Sequence, residues 1–347
     1  MMFLDSRMHS HNDRTKVLLP SRPFTASGEE KMSLTLMQFS MRRNWYNINE
    51  TNNQGYVHNV TDDTYHHFEI EPKAYYAFES AQAGDESLKD AVNQAFGSLC
   101  AQTTATGGLS GIISSIVAAY DTQTRKFTFT VEINSGHRNK EFQFRLFSVK
   151  QGLPPAGVTA AGFYNDAHEI LGGVPKRRSN DLQNAFEHVS GHAQTRTFKS
   201  VYPCSLNTLD ALYIRLSALE TGCYCSTQFD KNIIDDDRIN ETDIFARIPL
   251  ERSTFDEVHE VVEYVTDSDQ FQVFPLRKHI NELEIRITDA KGRSLAEVAP
   301  DQAANGLMGF QMVLRFDLFK PPAVQQPISG SADSESNRWL LKHPPTR

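Results

Sequence analysis

The sequence is poor in cysteine: Cys100, Cys204, Cys223 and Cys225 are the only thiols in 347 residues. Small secreted domains replace a missing core with dense disulfides, so this content excludes a disulfide-held scaffold. A long apolar run is also missing. The stretch 111–120 comes nearest, but Ser114 and Ser115 interrupt it, and it falls short of the roughly 20 residues a membrane span needs. The opening residues, MMFLDSRMHSHNDR, turn from apolar to charged too soon for a secretory leader. The expectation is a soluble intracellular product in which the N-x-T triplets at Asn49, Asn59 and Asn240 have no role. Positive charge is scarce as well. Lys plus Arg is 35 against 43 acidic residues, a net charge of -8, which is the wrong sign for a surface that coats nucleic acid.

Motifs that carry chemistry are equally lacking. There is no G-x-x-x-x-G-K-[ST] loop for phosphate, no G-x-G-x-x-G, no H-E-x-x-H and no G-x-S-x-G. His188 and His192 stand four apart, but Ser190 and Gly191 between them favour a surface loop over a ligand-bearing helix. Cys223 and Cys225 form C-x-C without the second pair that a structural zinc site needs. Asp235, Asp236 and Asp237 lack the glycine turn and terminal glutamate of a calcium loop. Glu257 and His259 alternate away from Glu260 on a strand, so they do not form one acid–base group. Lys176, Arg177 and Arg178 make a compact basic patch that reads as a solvated loop. No enzyme activity, cofactor or metal is expected.

What is present is core material in a β pattern. Hydrophobic residues are 39% and aromatics 10%, with 22 Phe and 11 Tyr, enough for a sizeable core. Period-two alternation recurs at 32–41, 126–133, 141–147, 211–216, 244–250, 257–265, 282–288 and 310–319, as strands with one buried face require. In 126–133, Phe127, Phe129 and Val131 share the predicted core face. One segment, 86–101, instead spaces Leu88, Val92, Ala95, Phe96 and Leu99 as an amphipathic helix, with Asp85 or Ser87 as its cap. Residues 107–111 and 152–157 read as loops, and 172–196 as a long polar insertion between strands. Beyond residue 319 the chain is rich in Pro, Ser and Gln, yet it closes with Trp339, Leu340 and Leu341, an apolar cluster that reads as an anchor for another surface.

Several phrases together resemble the single jelly-roll penton proteins and related minor capsid proteins of double-stranded DNA viruses: virophages, polinton-like viruses and adintoviruses. They are FLDSR at 3–7, KVLLP at 16–20 and FSMRRNWYNINETNN at 39–53, where Trp45 and Tyr46 would be buried at a strand end and Asn47, Asn49 and Asn52 suit tight turns. The helix at 88–99 follows, then AAYDTQTRKFTFTV with a turn at 121–124, and AGFYND at 161–166. ELEIRITDAKGRSL at 282–295 would be the penultimate strand, with Asp289 to Gly292 as a hairpin turn, and GFQMVLRFDLF would close the sheet. The resemblance implies an all-β protein, a single jelly-roll β-sandwich with long loops, one amphipathic helix and extended termini. It divides the chain into an N-terminal arm and first strand (1–30), a jelly-roll capsid domain (31–319) carrying the insertion 172–196, and a C-terminal tail (320–347). It implies a structural virion protein located in the capsid. Such a protein forms a homopentamer at the vertex and contacts major capsid proteins and other minor capsid proteins. The alternatives are a minor capsid or cement protein of the same virus class, and a cellular β-sandwich carbohydrate-binding module.

Overall fold

A computed structural model of the chain describes residues 1–6, 14–19, 30–80, 86–104, 107–148, 154–175, 184–192, 194–207, 209–217, 243–250, 261–266 and 279–320, with short pieces at 25–26, 28, 223–225, 240–242 and 274–276. From the N-terminus come the strands Met2–Asp5 (β1), Arg14–Leu18 (β2) and Lys31–Arg42 (β3). The middle supplies Gln54–Asn59 (β4), Thr64–Glu69 (β5), the helix Leu88–Ala101 (α1), Ile113–Asp121 (β6), Lys126–Ile133 (β7) and Phe142–Arg145 (β8). Short helices Ala160–Phe163 (α2) and Ala167–Leu171 (α3) lead to Glu187–Gly191 (β9) and Thr195–Lys199 (β10). The last part contains Ala211–Leu216 (β11), Cys223–Cys225 (β12), Asn240–Thr242 (β13), Ile244–Pro249 (β14), Val261–Val265 (β15), Phe274–Leu276 (β16) and Glu282–Thr288 (β17). Helices Leu295–Val298 (α4) and Pro300–Ala304 (α5) precede Phe310–Phe319 (β18). None of the described helices is long and apolar enough to cross a membrane.

The strands exist where alternation puts them. On β7, Phe127, Phe129, Val131 and Ile133 are buried while Glu132 on the opposite face is exposed. On β17, Leu283, Ile285 and Ile287 are buried and Glu282 and Arg286 are exposed. The predicted helix forms with Ser87 as its cap: the Ser87 hydroxyl accepts from the Asp90 amide and the Asp90 carboxylate accepts from the Ser87 amide, a reciprocal capping box. Leu88, Ala91, Val92, Ala95, Phe96 and Leu99 line its buried face.

Every ladder in the described residues is antiparallel. One sheet runs β1-β18-β3-β15, with β16 also on β3, and a second runs β14-β11-β17-β2. Count β1, β2, β3, β11, β14, β15 with β16, β17 and β18 as one to eight along the chain. The sheets are then 1-8-3-6 and 5-4-7-2, the strand order of a jelly roll. Between the two sheets lies one core, with Leu34, Phe39, Ile214, Ile285, Phe310 and Leu314 among its buried members.

The middle of the chain has a core of its own. Sheets β6-β7-β10-β9 and β5-β4-β8 pack with α1 around a separate cluster rich in phenylalanine, including Phe96, Phe129, Phe144, Phe186 and Phe198. The sequence predicts one roll over 31–319 with an insertion at 172–196; the excursion from the roll is in fact far larger. Trp45 belongs to the roll core and Ile48 to the second core; on the way back Leu206 packs against the second core and Leu209 against the roll. Alternation reveals that a strand has a buried face but not which core that face joins. The described residues of 172–196 lie inside the inserted unit and include strand β9 and part of β10, and His188 is a strand residue. Residues 1–30, expected as an arm and first strand, contribute two strands, β1 and β2, to the roll.

Candidate functional site

The two cores are joined at one end of the sandwich, where the chain leaves β3 and where β17 ends. Trp45 anchors the exit, 3% exposed in the roll core. Its neighbour Tyr46, expected to be buried with it, is 40% exposed, because successive side chains leaving a strand point to opposite sides. The Asn residues that follow are buried and spend their amides on backbone. Asn47 accepts from the Ile48 and Tyr75 amides at 3.0 and 2.9 Å and donates to the Tyr75 carbonyl at 2.7 Å. Asn49 accepts from the Thr51 amide and hydroxyl at 3.0 and 2.7 Å and donates to the Tyr46 carbonyl at 3.1 Å. Asn52 accepts from the Asn49 amide at 2.8 Å and donates to the Asn47 carbonyl at 2.9 Å. A buried amide can form such a knot only if its donors and acceptors find partners, and here the turn and the backbone of Tyr75 supply them.

From across the inserted unit, Asn165 and Asp166 close the knot. Asn165 accepts from the Gln54 amide at 2.8 Å and donates to the Glu50 carbonyl at 2.9 Å; the Asp166 amide donates to the Thr51 carbonyl at 2.8 Å. The Asp166 side chain, 1% exposed, turns towards the roll. It meets the turn after β17. There Asp289 accepts from the Lys291 and Arg293 amides at 2.8 and 2.9 Å and pairs with the Arg293 Nε at 2.7 Å, while Gly292 takes the positive φ of 82° that the turn requires. This turn thus presents Lys291 and Arg293 to the inserted unit: Lys291 Nζ lies 2.8 Å from Asp166 Oδ2 and 3.0 Å from Glu169, and Arg293 Nη1 lies 3.2 Å from Asp166 Oδ2. Burial works against both cations, but the facing carboxylates outweigh it and hold the Lys291 and Arg293 pKa values above their ordinary ones. His168 completes the group, its Nδ1 3.2 Å from the Phe147 carbonyl oxygen and 3.8 Å from Asp166 Oδ1.

Asp166, His168 and Glu169 bring ligand atoms within 4.8 Å of one another, a spacing that could hold a metal ion. Yet the Lys291 ammonium already stands between the two carboxylates, so a metal would have to displace it. The arrangement is an ionic clasp between two folded units.

The chain is similar to the mavirus penton protein. That crystal structure is 12% identical, the match covers 92% of this chain and 98% of that one, and the TM-score is 0.39. A chain of the Sputnik virophage structure is similar with 12% identity, 88% and 97% coverage and a TM-score of 0.31. No family model and no curated protein matches the sequence.

The structure therefore brings Trp45, Asn47, Asn49, Asp289 and Gly292 into one region and leaves Tyr46 at its surface. AGFYND and DAKGR are visible in the sequence as separate phrases, but no spacing rule links residues more than a hundred positions apart. Trp339, Leu340 and Leu341 lie outside the described residues, as do the basic patch at 176–178, the acidic run at 235–237 and the Glu257, His259 and Glu260 group. Cys223 and Cys225 are described only as backbone of β12. Elsewhere, a trough of about 490 Å³ lies between β5 and α1, lined by Tyr65, His67, Glu69, Glu71, Gln94 and Gln102 among others, with no lysine or arginine among the described residues. Burial holds His67 below its ordinary pKa.

Proposed function

We propose that the chain is a non-enzymatic virion protein, a capsid vertex component in which identical rolls close into a ring, a pentamer on the sequence resemblance, seated among major capsid proteins. The observation that carries this reading is the eight-strand order 1-8-3-6 and 5-4-7-2 with a separately cored unit between the third and fourth strands. A roll of this build offers two unlike flanks, and a ring of identical copies needs two different complementary surfaces on each. The clasp supports a division of labour: one unit for the shell, the other held rigidly at one end of it. β18 supports the same polarity, because Phe310 pairs with Met41 near the inserted unit and Phe319 with Lys31 at the far end, where the C-terminal segment departs. Mass measurement of the full chain in solution tests the ring; a monomer at all concentrations contradicts it.

A glycan-binding role is the second reading, favoured by the trough beside α1. Its aromatic ring, amides and carboxylates suit the hydroxyls of a neutral sugar, and its lack of cations disfavours an acidic one. Binding of neutral but not sialylated oligosaccharides, lost in Gln94→Ala, is the expected result if this role holds.

A further inference from the structure

We propose that copies of the chain join by strand addition, β1 of one copy lying antiparallel beside β15 of the next, so that the first roll sheet continues from copy to copy. Strand addition rests on the ring reading above and names its contact surface. Among the described residues β1 pairs only with β18, and β15 only with β3, so both strands are edges of one sheet. An unpaired edge is a template for another chain unless lysine, proline or a cover blunts it. The two edges of the second sheet are blunted: β2 carries Lys16, and β14 carries Arg247 and Pro249. Those of the first sheet carry none of these residues and no cover among the described residues. β1 reads MFLD and β15 reads VVEYV, without lysine, arginine or proline. Both turn apolar side chains outward, with Phe3 79%, Val261 44% and Val265 68% exposed.

Polarity and height fit as well. β1 is antiparallel to β18, β18 to β3 and β3 to β15, so β1 and β15 run in opposite directions. One row crosses the sheet through Phe3, Val313, Gln38 and Val265, and another through Asp5, Gln311, Ser40 and Glu263. The two edges therefore stand level, and a rotation about an axis parallel to the strands carries one onto the other without sliding. Level pairing sets Phe3 against the neighbour's Val265, an apolar cross-strand pair. It also sets Asp5 against Glu263, a like-charge pair whose repulsion salt screens. Added salt should then tighten the ring.

Within one copy, Phe3 and Val265 are three strand spacings apart, about 14 Å, which no disulfide spans. The test is the double variant Phe3→Cys with Val265→Cys in the full chain, oxidised and run on a denaturing gel beside the parent chain, each single variant and a solution mass measurement. The expected result is a disulfide ladder in the double variant alone, with rings that form more readily as salt rises, and with Asp5→Asn forming them severalfold more readily at low salt. Rings without a ladder overturn the strand addition and leave the ring reading standing. Cross-linked dimers in the Phe3→Cys single variant show β1 meeting β1 and also overturn it. Monomers without a ladder overturn both.

Discussion

Trp45 and Tyr46 are adjacent, aromatic and unlike in energy. Removing the buried indole of Trp45 should cost roughly 3 to 5 kcal/mol through lost burial and the cavity left behind. Tyr46→Ala, at the surface, should stay within about 1 kcal/mol. Chemical denaturation of the two variants checks the contrast. Asp166 is the residue on which the clasp turns. Its removal leaves Lys291 with Glu169 and Arg293 with Asp289, so Asp166→Ala should destabilise clearly but by less than the roughly 3 to 5 kcal/mol of a buried charge left with no partner. Lys16, exposed beside Glu282, makes a surface pair whose loss should change little. His168 adds a pH dependence. Burial holds its imidazole below the ordinary pKa, and the neighbouring Asp166 and Glu169 do not offset this. The folded state binds that proton less readily than the unfolded chain, so the stability tied to neutral His168 is whole above about pH 6.5 and is lost as pH falls below it. In His168→Gln, thermal unfolding should lose less on going from about pH 7 to pH 5 than in the parent, the window in which histidine titrates. An identical loss in both would exclude His168 as a source.

At the scale of elements, backbone geometry decides more than side-chain type. Gly172 ends α3 at φ 66°, and a Cβ there would meet the Tyr202 carbonyl oxygen at 2.1 Å. Gly172→Ala should therefore destabilise the inserted unit well beyond the roughly 1 kcal/mol of an ordinary cap change such as Ser87→Ala. Amide exchange resolved by segment should show the loss spread over 113–199 and not over the roll strands. The elements themselves were legible in the sequence. The Phe127, Phe129 and Val131 face and the α1 stripe with Ser87 before it each follow from local period or cap chemistry. The Asp289 to Gly292 turn, expected as a hairpin into the last strand, instead leads from β17 into α4, and β17 and β18 lie in different sheets. The partnership of the elements was not legible. KFTFTVEI and ELEIRIT have the same alternation, yet one strand builds the inserted core and the other the roll, and the difference lies in contacts between distant parts of the chain. The clasp was hidden for the same reason. Asp166 and Arg293 are ordinary loop residues until the Asn47 to Asn52 knot and the Gly292 turn place them face to face.

At the scale of the whole molecule, the chain is a sandwich with a second folded unit clasped to one end and a C-terminal segment leaving from the other. Deleting 321–347 removes no strand of the described roll. On the anchor reading of Trp339, Leu340 and Leu341, the deletion should leave thermal unfolding nearly unchanged while weakening incorporation into particles. Unfolding of the roll on deletion, or normal incorporation without the segment, would contradict the anchor role. The most direct test of the vertex assignment is a reconstruction of particles assembled with and without this chain. The expected difference density is five copies around each vertex, with the rolls in the shell and the inserted units at one end of the ring. Vertices unchanged by its omission would contradict that assignment.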